Sequence, residues 1–225
     1  MTSPTTLDVD AVLFDLDGTL ADTAGDLAGA VNRVRKDRGL VPVSVASVRP
    51  FASSGARGLL LGGMGIASDD AEFPALRDAF LAHYAECLSE TTELFAGVAK
   101  LLDGIEERGL AWGVVTNKAS RYTLPVMGAL KLDKRAATIV SGDTTPHPKP
   151  HPAPLLHAAR ELNVDPTRCV YVGDDLRDVQ AGNAAGMPTL AARWGYIGAQ
   201  PHEQWPATGG ADRPLDVLDW LPSRR

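Results

Sequence analysis

Cysteine is scarce in this 225-residue chain, which has two, Cys87 and Cys169. They stand far apart, without a CxxC partner or metal-ligand spacing. That excludes a disulfide-stapled scaffold and predicts free thiols in a reducing cytoplasm. Long apolar runs are missing too. "GLLLGGMGIA" is short and broken by glycines, so no membrane span is expected. The N-terminal "MTSPTTLDVD" has neither a basic region nor an apolar h-region, which predicts a cytoplasmic protein. Positive charge is not in excess: 22 Lys and Arg against 28 Asp and Glu give a formal charge of −6. No basic surface awaits nucleic acid. Internal repeats and low-complexity tracts are absent. What remains is an ordinary globular balance, 44% hydrophobic and 22% charged, able to bury a core without staples.

Short apolar runs recur, each followed by polar or Gly-rich residues: Ala11–Phe14, Ala111–Val115, Thr138–Val140, Cys169–Val172 and Thr189–Ala192. Helical spacing lies between the later ones, at Val98, Leu101, Leu102 and Ile105, and at Leu155, Leu156, Ala159 and Leu162. Strands alternating with helices predict an α/β fold on a parallel sheet. One interval breaks the rhythm. From about Ala21 to about Thr92 the pattern is helical, with stripes at Leu27, Ala30, Val31 and Val34, then Leu76, Phe80, Tyr84 and Cys87. A helical block inserted after the first strand sits over the carboxyl ends of the strands, where ligands bind, and is expected to act as a cap. The predicted division is a core of 1–20 and 93–225 and a cap of 21–92. Near the C-terminus, "RPLDVLDWL" predicts a closing helix that packs Leu215, Leu218 and Trp220 on the core.

The strand ends carry the chemistry. The first ends in Asp15-Leu16-Asp17, the second in "VVTNK", and the fourth in "VGDDLRD"; "HPKPHP" with Lys149 follows the third. In a parallel sheet these groups converge on one edge. Ionised carboxylates are costly to bury unpaired. A hard cation such as Mg²⁺ held by Asp15 and Asp174 removes that cost and leaves room for a substrate phosphate. Thr116 and Lys149 suit the remaining phosphate oxygens. Asp15 fits a nucleophile that forms an aspartyl-phosphate. Asp17, two residues on and pointing the same way, fits the acid/base. Asn117 is a further candidate phosphate contact.

"DLDGTLADT", "VVTNK", "PKP" and "GDDLRD" resemble, in order, the four motifs of the haloacid dehalogenase superfamily of phosphatases. The resemblance spans nearly the whole chain and implies a Rossmann-like core with helices on both faces and a helical cap. It implies that Asp15 is nucleophile and metal ligand, that Asp17 is acid/base and ligates through its carbonyl, that Asp174 binds Mg²⁺ directly and that Asp178 supports the metal shell. "LADTAGDL" is similar to phosphoglycolate phosphatases. "GARG", "GDDLRD" and "GYI" are also similar to their sister group, the N-acetylmuramic acid 6-phosphate phosphatases. Either implies a small phosphorylated metabolite as substrate and a monomer or homodimer. In the cap, "SSGARG" offers Ser54, Gly55 and Arg57, with Arg57 expected to pair with a substrate carboxylate. A receiver-like signalling module uses similar residues, but this chain is too long for one and carries the acid Asp17.

Overall fold

The computed structural model describes residues 6–198 and 201–223. Its centre is a six-stranded sheet in the order β5-β4-β1-β6-β7-β8, with every pairing parallel. These strands are β1 (Ala11–Phe14), β4 (Ala111–Val115), β5 (Thr138–Val140), β6 (Cys169–Gly173), β7 (Thr189–Ala192) and β8 (Gly209–Ala211). The side chains of β1 alternate as a strand covered on both faces requires. Val12 and Phe14 join one apolar cluster with Leu101, Leu102 and Ile105 of α5 (Val98–Glu107). Ala11 and Leu13 join another, with Leu155 and Ala159 of α7 (Ala153–Glu161) and Ala181 of α8 (Leu176–Ala184). Helices therefore cover both faces. The chain leaves β1 for β4 on one side and returns to β6 on the other, so the order of strands reverses at β1. Ligand clefts in open α/β sheets form at such a reversal, beyond the carboxyl ends of the strands.

Four helices separate β1 from the rest of the sheet: α1 (Ala24–Asp37), α2 (Val45–Val48), α3 (Gly55–Met64) and α4 (Phe73–Glu86). Both expected stripes are buried. Leu27, Ala30, Val31 and Val34 meet Leu76, Phe80, Tyr84 and Cys87 in a cluster of their own. The two chain crossings into this block run side by side as a short antiparallel ribbon, β2 (Ala21–Asp22) against β3 (Glu93–Leu94). Asp26 fastens the crossing. Its buried carboxylate accepts hydrogen bonds from the Thr91 amide at 2.7 Å and from the hydroxyls of Thr91 and Thr92, each at 2.6 Å. Asp26→Ala leaves these donors without their acceptor. It is expected to lower stability by about 2–3 kcal/mol, a fall in Tm of about 5–10 °C on thermal unfolding; an unchanged melt would refute the clamp.

Three details depart from the expected pattern. β8 is built from Gly-Gly-Ala and carries no branched or aromatic residue to betray it. The β2–β3 ribbon is too short to show alternation. The closing segment, Pro214–Trp220, is a 3-10 helix. Its threefold repeat buries Pro214 and Val217, and Leu215, expected on the core, is 40% exposed. Leu218 and Trp220 pack partly buried against the core, and Cys87 and Cys169 are buried free thiols. No helix among the described residues is long and apolar enough to cross a membrane.

Candidate active site

The three central strands each end in a polar group. Asp15 follows β1, Thr116 follows β4 and Asp174 follows β6. The turn after β1 is tight: the Leu16 carbonyl accepts from the amides of Thr19, Leu20 and Ala21. Gly18 takes φ +86°, and a Cβ there would stand 2.1 Å from a carboxylate oxygen of Asp174. A side chain at 18 is thus doubly excluded, by backbone sign and by the acid packed against it. Gly195 is constrained likewise, because a Cβ would lie 2.3 Å from that of Asp174.

Carboxylate oxygens of Asp15, Asp174 and Asp178 lie within 4.8 Å of one another, and all three residues are buried. Lys149 balances part of this charge. Its ammonium is 2.9 Å from Asp15 Oδ1 and 2.7 Å from Asp178 Oδ1, and it donates to the Val115 carbonyl and to the Tyr171 hydroxyl. Burial works against the Lys149 charge, but the two carboxylates outweigh it and hold the group above its usual value. Burial pushes Asp15 up to about 6 even with Lys149 beside it. Asp174 is also raised, by burial and then by the charges of Asp15 and Asp178, against hydrogen bonds from the Tyr196 amide and the Ser53 hydroxyl. Asp15 Oδ1 is near Lys149 but outside hydrogen-bond geometry, so this buried atom has no hydrogen-bond partner. Three buried carboxylates against one ammonium leave negative charge that suits a divalent cation.

Asp178 is held from two sides. Its Oδ2 accepts from the Asp175 amide in the capping box of α8, and its Oδ1 meets Lys149. Asn117 also supports Lys149. Its amide donates to the Lys149 carbonyl and accepts from the Lys149 amide, both at 2.9 Å, so it braces the lysine. Asp17 accepts from the Thr23 hydroxyl at 2.6 Å and from the Lys118 ammonium at 2.8 and 3.1 Å.

A cavity of about 320 Å³ opens between the sheet edge and the helical insertion. Asp15, Asp17, Thr116, Asn117, Lys149 and Asp178 line it from the sheet side, and Ser54 and Gly55 from the insertion. Arg57 is exposed and is not part of the lining. The inward face of α3 belongs to Gly58, Leu59, Leu60 and Gly63, which turns position 57 outward. Other residues enter that the motifs left without a role. Lys118 and Arg177 line the cavity, as do Phe80, Leu81 and Tyr84 of α4. Arg177 grips Asp175 with two nitrogens, at 2.7 and 2.9 Å, and donates to the Ser53 carbonyl at 2.6 Å. Ser53 in turn donates its hydroxyl to Asp174 at 3.0 Å. Lys118 and Arg177 stand inside quoted motifs, and the Arg177–Asp175 pair lies within one of them; the contacts of Lys118 with Asp17 and of Arg177 with Ser53 join residues distant in sequence.

Known proteins are similar to this one over nearly the whole chain. A phosphoglycolate phosphatase from Xanthomonas campestris pv. campestris is 42% identical over 214 residues, covering 95% of this chain and 96% of its own. An N-acetylmuramic acid 6-phosphate phosphatase from Pseudomonas aeruginosa is 41% identical over 212 residues, 94% of each chain. Among solved structures, a predicted phosphoglycolate phosphatase from Haemophilus somnus superposes with a TM-score of 0.82 at 28% identity, covering 94% of this chain and 97% of that one. The family model of haloacid dehalogenase-like hydrolases matches residues 12–192, from β1 through β7 and across every group of the acidic cluster. With that match and relatives aligned over nearly their full length, the chain belongs to the haloacid dehalogenase-like hydrolases.

Proposed function

We propose that this protein is a Mg²⁺-dependent phosphatase that hydrolyses a small phosphate monoester through an aspartyl-phosphate on Asp15. One observation carries the reading. Asp15, Thr116 and Lys149 border one cavity, beside two further buried carboxylates, and the three acids outnumber the single ammonium set among them. Asp15 and Asp174 would hold the cation, with Asp17 contributing its main-chain carbonyl and Asp178 bracing the set. When bound, Mg²⁺ supplies positive charge that offsets the acids and the phosphate.

The side chains divide the remaining work. Thr116 and Lys149 hold phosphate oxygens and orient phosphorus toward Asp15. Asp15 attacks, and the ester oxygen departs. Asp17 gives that oxygen its proton, then takes one from the water that releases phosphate from Asp15. The helical insertion, 21–92, serves as a cap that keeps bulk water out and presents Ser54 and Gly55 to the alcohol half. By kinship with the named relatives, 2-phosphoglycolate is the first substrate proposed. By the same kinship N-acetylmuramic acid 6-phosphate is the second, and the cavity of about 320 Å³ lies at the low end of clefts that take molecules of that size.

Phosphate release measured on both esters, with Mg²⁺, with a chelator and with Mg²⁺ restored, tests the proposal. Release that vanishes on chelation and returns with Mg²⁺ is expected. Undiminished release in excess chelator would overturn the cation's role.

A further inference from the structure

We infer that Tyr84 and Lys118 form a subsite for a carboxylate on the alcohol half of the substrate. The inference rests on the phosphatase reading and extends it beyond the ester oxygen, to the part of the substrate that the transferred phosphoryl group leaves behind.

Tyr84 lies on α4, in the helical insertion. It is 2% exposed and lines the cavity, and its buried hydroxyl has no acceptor: the Lys118 ammonium beside it can only donate. Buried tyrosine hydroxyls nearly always find a partner. The ring itself is fixed: it stacks on Phe80 with centroids 6.2 Å apart and tilts against Tyr122 at 5.4 Å. A hydroxyl without an acceptor, on an immobilised ring, is a donor set in advance for an acceptor that enters the cavity.

Lys118 decides what kind of acceptor. Its ammonium lies 4.7 Å from the centre of the Tyr84 ring and its side chain is 7% exposed. Among the described residues, Asp17 is the one carboxylate within ion-pair distance of it. The ammonium has three N–H groups, and its polar neighbours are the two Asp17 oxygens and the Tyr84 hydroxyl. The pair faces a cavity whose phosphate needs are already met by Thr116 and Lys149. A cation and a neutral donor side by side favour an anionic oxygen over a neutral one. Arg121, at the exposed rim of the same lining, adds positive potential along the way in. The chemical class is therefore a phosphate monoester whose alcohol carries a carboxylate, and this role falls to Lys118 rather than to Arg57.

A purely structural role is the competing account, with Lys118 merely steadying Asp17. Matched substrate pairs separate the two. 2-Phosphoglycolate is compared with ethyl phosphate, and N-acetylmuramic acid 6-phosphate with N-acetylglucosamine 6-phosphate; only the first of each pair has the carboxylate. The wild-type protein with Mg²⁺ is expected to prefer the carboxylated member of at least one pair by about 100-fold or more in kcat/KM. Tyr84→Phe, which keeps the ring stacking, should cut that preference about tenfold, mainly through KM. Lys118→Met should cut it about 100-fold, and Lys118→Arg should restore part of it. A preference unchanged in both variants, with kcat lowered equally on both esters, would assign them to Asp17 alone and overturn the subsite. So would a wild-type protein that hydrolyses both members equally well. Phosphate release from none of the four esters would instead overturn the phosphatase reading itself, and the subsite with it.

Discussion

Asp15→Asn is expected to lower phosphate release by more than about 10⁴-fold while leaving the fold intact, because it removes the attacking oxygen and little else. Stability should move the other way. Burial raises the Asp15 carboxyl to about 6 in the folded protein. The folded state therefore holds that proton more tightly than the unfolded chain, whose aspartates titrate near about 4. The stabilisation from this group is full below about pH 4 and is lost as pH rises through about 6. Asparagine carries no charge to bury, and Lys149 keeps Asp178 at 2.7 Å. Metal-free Asp15→Asn should thus melt a few degrees above the parent at pH 7.5, with the difference closing toward pH 4. Melting curves at the two pH values, beside a phosphate assay, check both halves. Retained turnover would remove Asp15 as nucleophile.

Lys149→Met is expected to fail in both respects. Its ammonium is the cation that meets Asp15 and Asp178, and all three are buried. Without it three carboxylates crowd together with no counter-charge. Removing one partner of a buried ion pair costs about 3–5 kcal/mol, or a Tm lower by about 6–20 °C in a chain of this size. Added Mg²⁺ should recover part of that stability by neutralising the cluster. Activity should stay about 10³-fold down even when saturated with Mg²⁺, since the phosphate has lost a placed cation. Calorimetry with and without Mg²⁺, paired with single-turnover kinetics, resolves the two effects. Near-normal kinetics would place Lys149 outside the phosphate site.

The polar strand ends were readable in advance because the strands themselves were. Val12, Leu13 and Phe14 are wholly buried and read as an uninterrupted apolar run, so the acids that end the run stood out. The same reasoning located β4, β5, β6 and β7, and parallel pairing then brought their tips together. Contacts between the insertion and the sheet were not readable. Tyr84 fits a helical stripe perfectly well as a core residue, and nothing in its spacing shows that its hydroxyl ends at a cavity. Arg57 erred in the opposite sense. A glycine-rich stretch around a cation invites a ligand, yet one step along a helix turns a side chain by about 100°, and that step points Arg57 to solvent. Asn117 stands beside Thr116 on the cavity wall as its place in the motif implies, and its side-chain amide in addition holds the main chain of Lys149, a contact 32 residues away that the motif does not show.

The link from Arg177 through Ser53 to Asp174 ties two events that are usually considered apart. Lifting the helices away from the sheet would break the guanidinium's hold on the Ser53 carbonyl and the Ser53 hydroxyl's bond to Asp174 in the same stroke, leaving that oxygen to the Tyr196 amide. On the proposed reading, in which the insertion is a cap and Asp174 a cation ligand, both would share a single serine, so loading the cation and opening the cap would form one thermodynamic cycle and whatever strengthens one would be felt by the other.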